Sequence, residues 1–158
     1  SNDVLPRLLD VHQRTGASAI AVMPVPDDLV SRYGVIEGHE VEDGEWRVTG
    51  LVEKPPVNEA PSNLAIFGRY LLTPKVMELL PEVRPGRGDE IQLTDALVKL
   101  LDHEELFAVV VDPTEGYDTG NVLSWLEANI ALALRSDEYG PELRERLRKL
   151  VEEGFCER

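Results

Sequence analysis

Glu53 and Lys54 stand side by side where an apolar run ends, in the stretch GLVEKPP at positions 50–56. A carboxylate accepts hydrogen bonds from hydroxyl donors, whereas an ammonium is a compact positive charge suited to phosphate. Successive strand side chains point to opposite faces, so the two groups are poor partners for each other in an extended chain. Taken alone, the plainer reading is a solvated strand end. The chemical reading is that each group holds a different part of one ligand. Two other segments bear on that choice. SRYG at 31–34 puts Gly34 where a strand begins, a spot where backbone can approach a ligand, although a plain turn is the favoured reading of that glycine alone. GYDTGN at 116–121 presents Asp118 on a glycine-flanked loop after an apolar strand. Ligands of open α/β sheets bind outside the carboxyl ends of the strands. Asp118 can therefore hold a hard cation such as Mg²⁺, or else Asp118 or Thr119 caps the helix that follows.

Other residues of chemical interest point to structure. His12, His39 and His103 sit at no metal-ligand spacing and read as structural or surface residues. No serine lies in a nucleophile-elbow pattern, and GRGDE at 86–90 lacks the spacing of a phosphate loop. Asp89 followed by Gln92 three residues later, ahead of an apolar-periodic run, has the pattern of a capping box.

The elements that must position these residues alternate between helix and apolar strand. Residues 3–15 read as a helix with Leu5, Leu8 and Leu9 on one face, closed by Gly16. ASAIAVMPV at 17–25 is a buried-strand run. YGVIEGHEVE and WRVTGLVE form a hairpin through the acidic turn EDGE, and LAIFGRYLL at 64–72 is a further strand. A short helix spans 74–80, and a stronger one starts at Glu90 with Leu93, Ala96, Leu97, Leu100 and Leu101 in phase. LFAVVV at 106–111 suits a sheet covered on both sides. The helix over 122–135 is apolar around most of its circumference and is expected to be buried. A last helix, 141–153, carries Leu143, Leu147, Leu150 and Val151 on one face, with Glu142–Arg146 and Glu145–Lys149 pairs on the other. The alternation specifies an α/β layer architecture with an inserted β-hairpin and C-terminal helices.

Bulk properties set limits on function. The 158 residues, 42% of them hydrophobic, suffice for one domain with a real core. No apolar run approaches the roughly 20 residues of a membrane helix. A single cysteine, Cys156, precludes an intrachain disulfide and fits a reducing, cytoplasmic setting. Thirty acids against 16 bases give a net charge of −14, which argues against a nucleic-acid surface. A small anionic ligand remains compatible, because one lysine and one bound cation create a local positive site.

Taken together, SRYGVI, GLVEKP, APSNLAIFGRYLL, PGRGDEIQLTDA and YDTGN, in this order and spacing, resemble the bacterial UTP–glucose-1-phosphate uridylyltransferases from about residue 4 to 135. The segments GDEIQLTDA and EKP…APSNLA carry the specificity of the match, whereas VEKP and the D-x-G loop are shared with glucose-1-phosphate thymidylyltransferases. The resemblance implies part of a Rossmann-like nucleotidyltransferase sheet. It implies that the Gly34 backbone contacts the sugar, Glu53 accepts hydrogen bonds from glucose hydroxyls, and Lys54 contacts the sugar-linked phosphate. Ile66, Gly68 and Tyr70 would line the sugar pocket. Asp118 would bind Mg²⁺ with a second aspartate from earlier in the family's chain.

The family's G-x-G-T-R nucleotide loop has no counterpart here. Residues 1–158 are accordingly expected to form one domain equivalent to the sugar-side, C-terminal portion, with 137–158 a helical extension. The implied reaction makes UDP-glucose and pyrophosphate from UTP and glucose 1-phosphate, with Lys54 and Asp118 as its catalytic residues. The alternatives are a non-catalytic sugar-phosphate-binding or assembly module, and a thymidylyltransferase-type homologue. The expected partners are a sugar phosphate and a nucleotide sugar, with no nucleic acid and no membrane. An unpaired sheet edge and a bare apolar face would favour a homo-oligomer.

Overall fold

Strand β1 (Ser18–Pro24) is apolar on both faces, and both faces are covered. Ile20 and Val22 point into a cluster with Leu97 and Leu100, while Ala19 and Ala21 face Val4, Leu8 and Val11. That alternation divides the sheet between two helical layers. The structure, a computed structural model, describes residues 4–85, 90–113, 116–117, 119–120 and 122–152. The chain divides into two compact units, Ser1–Glu115 and Gly116–Arg158.

In the first unit, helix α1 (Val4–Thr15) leads into β1, then come hairpin strands β2 (Gly34–Glu42) and β3 (Glu45–Glu53) and strand β4 (Leu64–Leu71). Helices α2 (Lys75–Leu79) and α3 (Leu93–Leu100) and strand β5 (Leu106–Val110) complete it. The strands are ordered β1-β4-β2-β3-β5, and β5 pairs parallel with β1, so the sheet closes on itself. The open edge expected from the sequence is therefore absent among the described strands. Its backbone groups are paired through Ser18↔Leu106 to Val22↔Val110 on one side and Glu45↔Val109 to Arg47↔Phe107 on the other. The α/β class and the inserted hairpin stand as expected.

Strand β5 shows why a short apolar run suffices. Leu106 and Ala108 join the α3 side of the core, and Phe107 and Val109 join the α1 side. Burying the larger of these, Leu106, Phe107 and Val109, stabilises the fold by about 1.5–3 kcal/mol each. Helix α1 differs from its expected orientation. Its buried stripe is Val4, Leu8 and Val11, while Leu5 and Leu9 are 59% and 40% exposed. Spacings of four and three residues keep Val4, Leu8 and Val11 on one line, whereas Leu5 and Leu9 fall beside it. At the helix end His12 Nδ1 lies 2.8 Å from the Ala17 carbonyl oxygen, the structural role expected for that histidine.

Helix α3 starts at Leu93, three residues later than the apolar period suggests. Gln92 is its N-cap, extended at φ −90° and ψ 131°, and makes no side-chain capping bond. The expected capping box therefore does not form with Gln92 inside the helix; Asp89 lies outside the described residues. The other end of the first unit is tied by a polar knot. The Thr73 hydroxyl donates to Glu104 Oε1 at 2.5 Å, the fully buried Ser18 hydroxyl donates to the same oxygen at 3.2 Å, and the Thr73 N–H donates to Ser18 Oγ at 3.0 Å.

The second unit contains α4 (Val122–Leu134) and α5 (Gly140–Glu152). Helix α4 corrects the sequence expectation of burial. Only Ala128 is buried along it, and Val122, Leu123 and Trp125 are more than half exposed. An apolar circumference requires a cover from all sides, and the one neighbouring helix of this unit reaches a single face. On α5 the anticipated pairs are present: Arg146 binds Glu142, and Lys149 Nζ lies 3.6 Å from Glu145 Oε1. No helix among the described residues is long and apolar enough to cross a membrane.

Candidate functional site

The hairpin strands bring the two ends of the signature segments together. Gly34 opens β2 and Glu53 closes β3, and the two are registered directly opposite each other. A side chain at position 34 would force its neighbours to shift. A methyl group there would lie 2.9 Å from Glu53 Oε2, 3.1 Å from Ile66 Cδ1 and 3.3 Å from Thr94 Oγ1. The missing Cβ thus creates the space in which the Glu53 carboxylate folds back over the strand.

The carboxylate is held at both oxygens. Thr94 in the first turn of α3 donates its hydroxyl to Glu53 Oε2 at 2.7 Å. Lys54 Nζ lies 3.4 Å from Glu53 Oε1. This pairing departs from the sequence argument, which placed adjacent side chains on opposite faces. The reason is backbone conformation: Lys54 sits just past the strand end with φ +47°, in the left-handed region. That turn rotates its side chain back toward the Glu53 side. A non-glycine residue there carries about 1–2 kcal/mol of strain. Its N–H bond to the Tyr33 carbonyl, 3.0 Å, anchors the kink.

With side chains 22% and 44% exposed, the Glu53–Lys54 pair contributes at most about 1 kcal/mol. The ammonium can therefore leave the carboxylate for a better-placed anion at small cost. Both residues border an open cleft of about 510 Å³, together with Ser31, Arg32, Glu90 and Gln92. The segment 90–92, expected to be helical, lies outside the helix, and its Glu90 and Gln92 wall this cleft.

Strand β4 supplies the remaining side. Between Val22↔Ile66 and Ile20↔Tyr70, three residues of β4 stand opposite one of β1, and Gly68 at φ +34° lies in the resulting bulge. A side chain at Gly68 would meet nothing within 4 Å, so the structure places this residue in the bulge and not against Glu53. Tyr70 follows the bulge and pairs with Ile20. Its phenol is held above its ordinary pKa, first by burial and second by the nearby Glu53 charge. Gly34, Ile66 and Lys54 are therefore brought to Glu53, and Tyr70 lies near enough to respond to its charge. Asp118 lies outside the described residues, and among the described residues no three or more His, Cys, Asp or Glu side chains gather into a metal site.

Sequence reasoning missed Thr94. The signal was available: a hydroxyl residue stands at a buried position in phase with Leu97 and Leu101, breaking an otherwise apolar stripe. It also missed Arg32, Glu90 and Gln92 as cleft walls, because nothing in their spacing indicates which loops converge.

The nucleotidyl transferase family matches residues 2–134. A protein of Streptococcus pneumoniae serotype 4 named UTP–glucose-1-phosphate uridylyltransferase is 45% identical over 148 residues, covering 93% of this chain and 49% of that protein. One of the same name from Staphylococcus epidermidis is 38% identical over 144 residues, covering 91% and 50%. The crystal structure of a UDP-glucose pyrophosphorylase complexed with UDP-glucose superposes with a TM-score of 0.75 at 40% identity, over 82% of this chain and 48% of that one. A UTP-bound enzyme of the same type from Acinetobacter baumannii gives a TM-score of 0.77 at 35% identity, over 91% and 49%. The chain spans about half the length of the curated relatives it matches. By the family match over most of its length, the chain belongs to the nucleotidyl transferase family.

Proposed function

We propose that this chain carries the sugar-phosphate side of a UTP–glucose-1-phosphate uridylyltransferase. The observation that carries the reading is the gathering of Gly34, Ile66 and Thr94 around the Glu53 carboxylate, which borders one cleft with Lys54, in a chain 40% identical to a structure complexed with UDP-glucose. In the reaction, a phosphate oxygen of glucose 1-phosphate attacks the α-phosphorus of UTP. The bond from that phosphorus to the bridging oxygen breaks, and pyrophosphate leaves. Positioning and charge neutralisation dominate such chemistry, with little demand for acid–base groups.

The residues divide that work. Glu53 accepts hydrogen bonds from glucose hydroxyls, which an ionised carboxylate can do from two acceptor oxygens. Lys54 moves from Glu53 to the sugar-linked phosphate and screens it from the approaching triphosphate. The Gly34 backbone, Ile66 and Tyr70 bound the sugar, with Gly68 shaping β4 between the last two. Arg32 adds a second positive charge to a cleft in a protein of net charge −14. The described residues alone do not make a metal site, so the Mg²⁺ reading rests on Asp118 with further oxygen ligands. Bound there, the ion would neutralise developing phosphate charge. A cytoplasmic setting completes the reading.

A calorimetric titration of UDP-glucose into this chain, beside Lys54→Ala, tests it. Binding that weakens about tenfold in the variant supports the reading, as expected for one charge-assisted contact. Equal binding by both proteins would contradict it. We also propose self-association, supported by the exposed Val122, Leu123 and Trp125. Sedimentation equilibrium showing monomer alone at high concentration would overturn that part.

A further inference from the structure

We infer that Thr94 is a positioning residue for Glu53: its hydroxyl fixes the carboxylate so that Oε1 remains beside Lys54 at the cleft. The inference rests on the proposed function for its consequence in binding, but its structural core does not. Three observations support it. The Thr94 hydroxyl donates to Glu53 Oε2 at 2.7 Å, the usual length of a well-formed O–H···O bond. Thr94 is only 9% exposed, so its hydroxyl is confined near the carboxylate. The glycine at 34 leaves no alternative side chain between them, because the same small space is bounded by Glu53, Ile66 and Thr94.

Without this bond a carboxylate 22% exposed at a strand end has rotamer freedom, and nothing else among the described contacts engages Oε2. Helix α3 thereby acts on the ligand cleft without touching it. Its packing through Ala96, Leu97 and Leu100 fixes the helix, the helix fixes Thr94, and Thr94 fixes the carboxylate. A residue with the volume of threonine but no hydroxyl should fold normally and lose the orientation. Serine should keep it.

The test uses Thr94→Val and Thr94→Ser in this chain, with two readouts. Crystal structures report where the Glu53 carboxylate sits without any ligand, and calorimetry reports UDP-glucose binding. The inference expects the carboxylate to leave its position in Thr94→Val and to keep it in Thr94→Ser. UDP-glucose binding should weaken about tenfold in the first and less than about twofold in the second. A carboxylate that stays in place in Thr94→Val overturns the inference whatever the binding result. A displaced carboxylate with unweakened binding overturns it too, because the position then has no consequence. Absence of UDP-glucose binding by the unmodified chain refutes the proposed function instead, and the crystal structures still decide whether Thr94 holds Glu53.

Discussion

Replacing Gly34 by alanine is the most exacting perturbation of the site, because a single methyl group meets three residues at once. The added carbon would lie 2.9 Å from Glu53 Oε2, 3.1 Å from Ile66 Cδ1 and 3.3 Å from Thr94 Oγ1. Ile66 can yield by a few tenths of an ångström, but Glu53 must swing away. Overpacking of this kind costs about 1–3 kcal/mol. Losing the Thr94–Glu53 bond adds about 1–2 kcal/mol, since the nearly buried hydroxyl loses its partner. Against this, alanine restricts the unfolded chain and returns about 0.4–1 kcal/mol. The net expectation is a loss of roughly 1–4.5 kcal/mol.

With a urea slope near 1.5 kcal/mol/M, that loss moves the unfolding midpoint down by about 0.7–3 M. The assay should follow the first unit alone. The chain has two tryptophans, Trp46 in β3 and Trp125 in α4, so fluorescence in a Trp125→Phe background reports β3. In a Glu53→Ala background the same glycine replacement should cost less, because its tightest contact has been removed. An unchanged midpoint for Gly34→Ala would refute the argument that this glycine makes room for the carboxylate.

Further expectations follow from the same contacts. Lys54→Gly should be about 1 kcal/mol more stable than Lys54→Ala by urea denaturation, because glycine relieves the left-handed backbone; equal stability would remove the strain argument. Tyr70 has a phenol raised by burial and by Glu53, so Glu53→Gln should lower its titration midpoint in an ultraviolet absorbance titration. The native state holds that proton more tightly than the unfolded chain, so the associated stability is present below about pH 10 and is lost as pH rises beyond it. Ser18→Ala should cost about 1–3 kcal/mol in thermal or urea unfolding, since it leaves the Thr73 N–H without its acceptor; a change within 0.5 kcal/mol would show that Thr73 and Glu104 suffice without Ser18.

The architecture was legible where one residue pattern had one physical solution. The β5 run admits little except a strand covered on both sides, and the EDGE turn between two alternating runs admits little except a hairpin. Local patterns failed where a tertiary partner decides. Leu5 and Leu9 are as apolar as Leu8, yet only the line through Val4, Leu8 and Val11 meets the sheet. The apolar circumference of α4 indicated burial without indicating what would supply the cover. In the site, the identities of Glu53, Lys54 and Gly34 were readable as chemistry and from the family resemblance. Their arrangement was not, because it depends on the φ of Lys54 and on a hydroxyl 41 residues away in sequence.

The central claim is that Glu53 and Lys54 hold opposite ends of one sugar phosphate. A crystal structure of this chain grown with UDP-glucose tests it most directly. The account predicts glucose hydroxyls on the Glu53 carboxylate, the sugar-linked phosphate on Lys54 Nζ, and the Thr94–Glu53 bond retained. UDP-glucose bound with its glucose and phosphate away from both residues would contradict it.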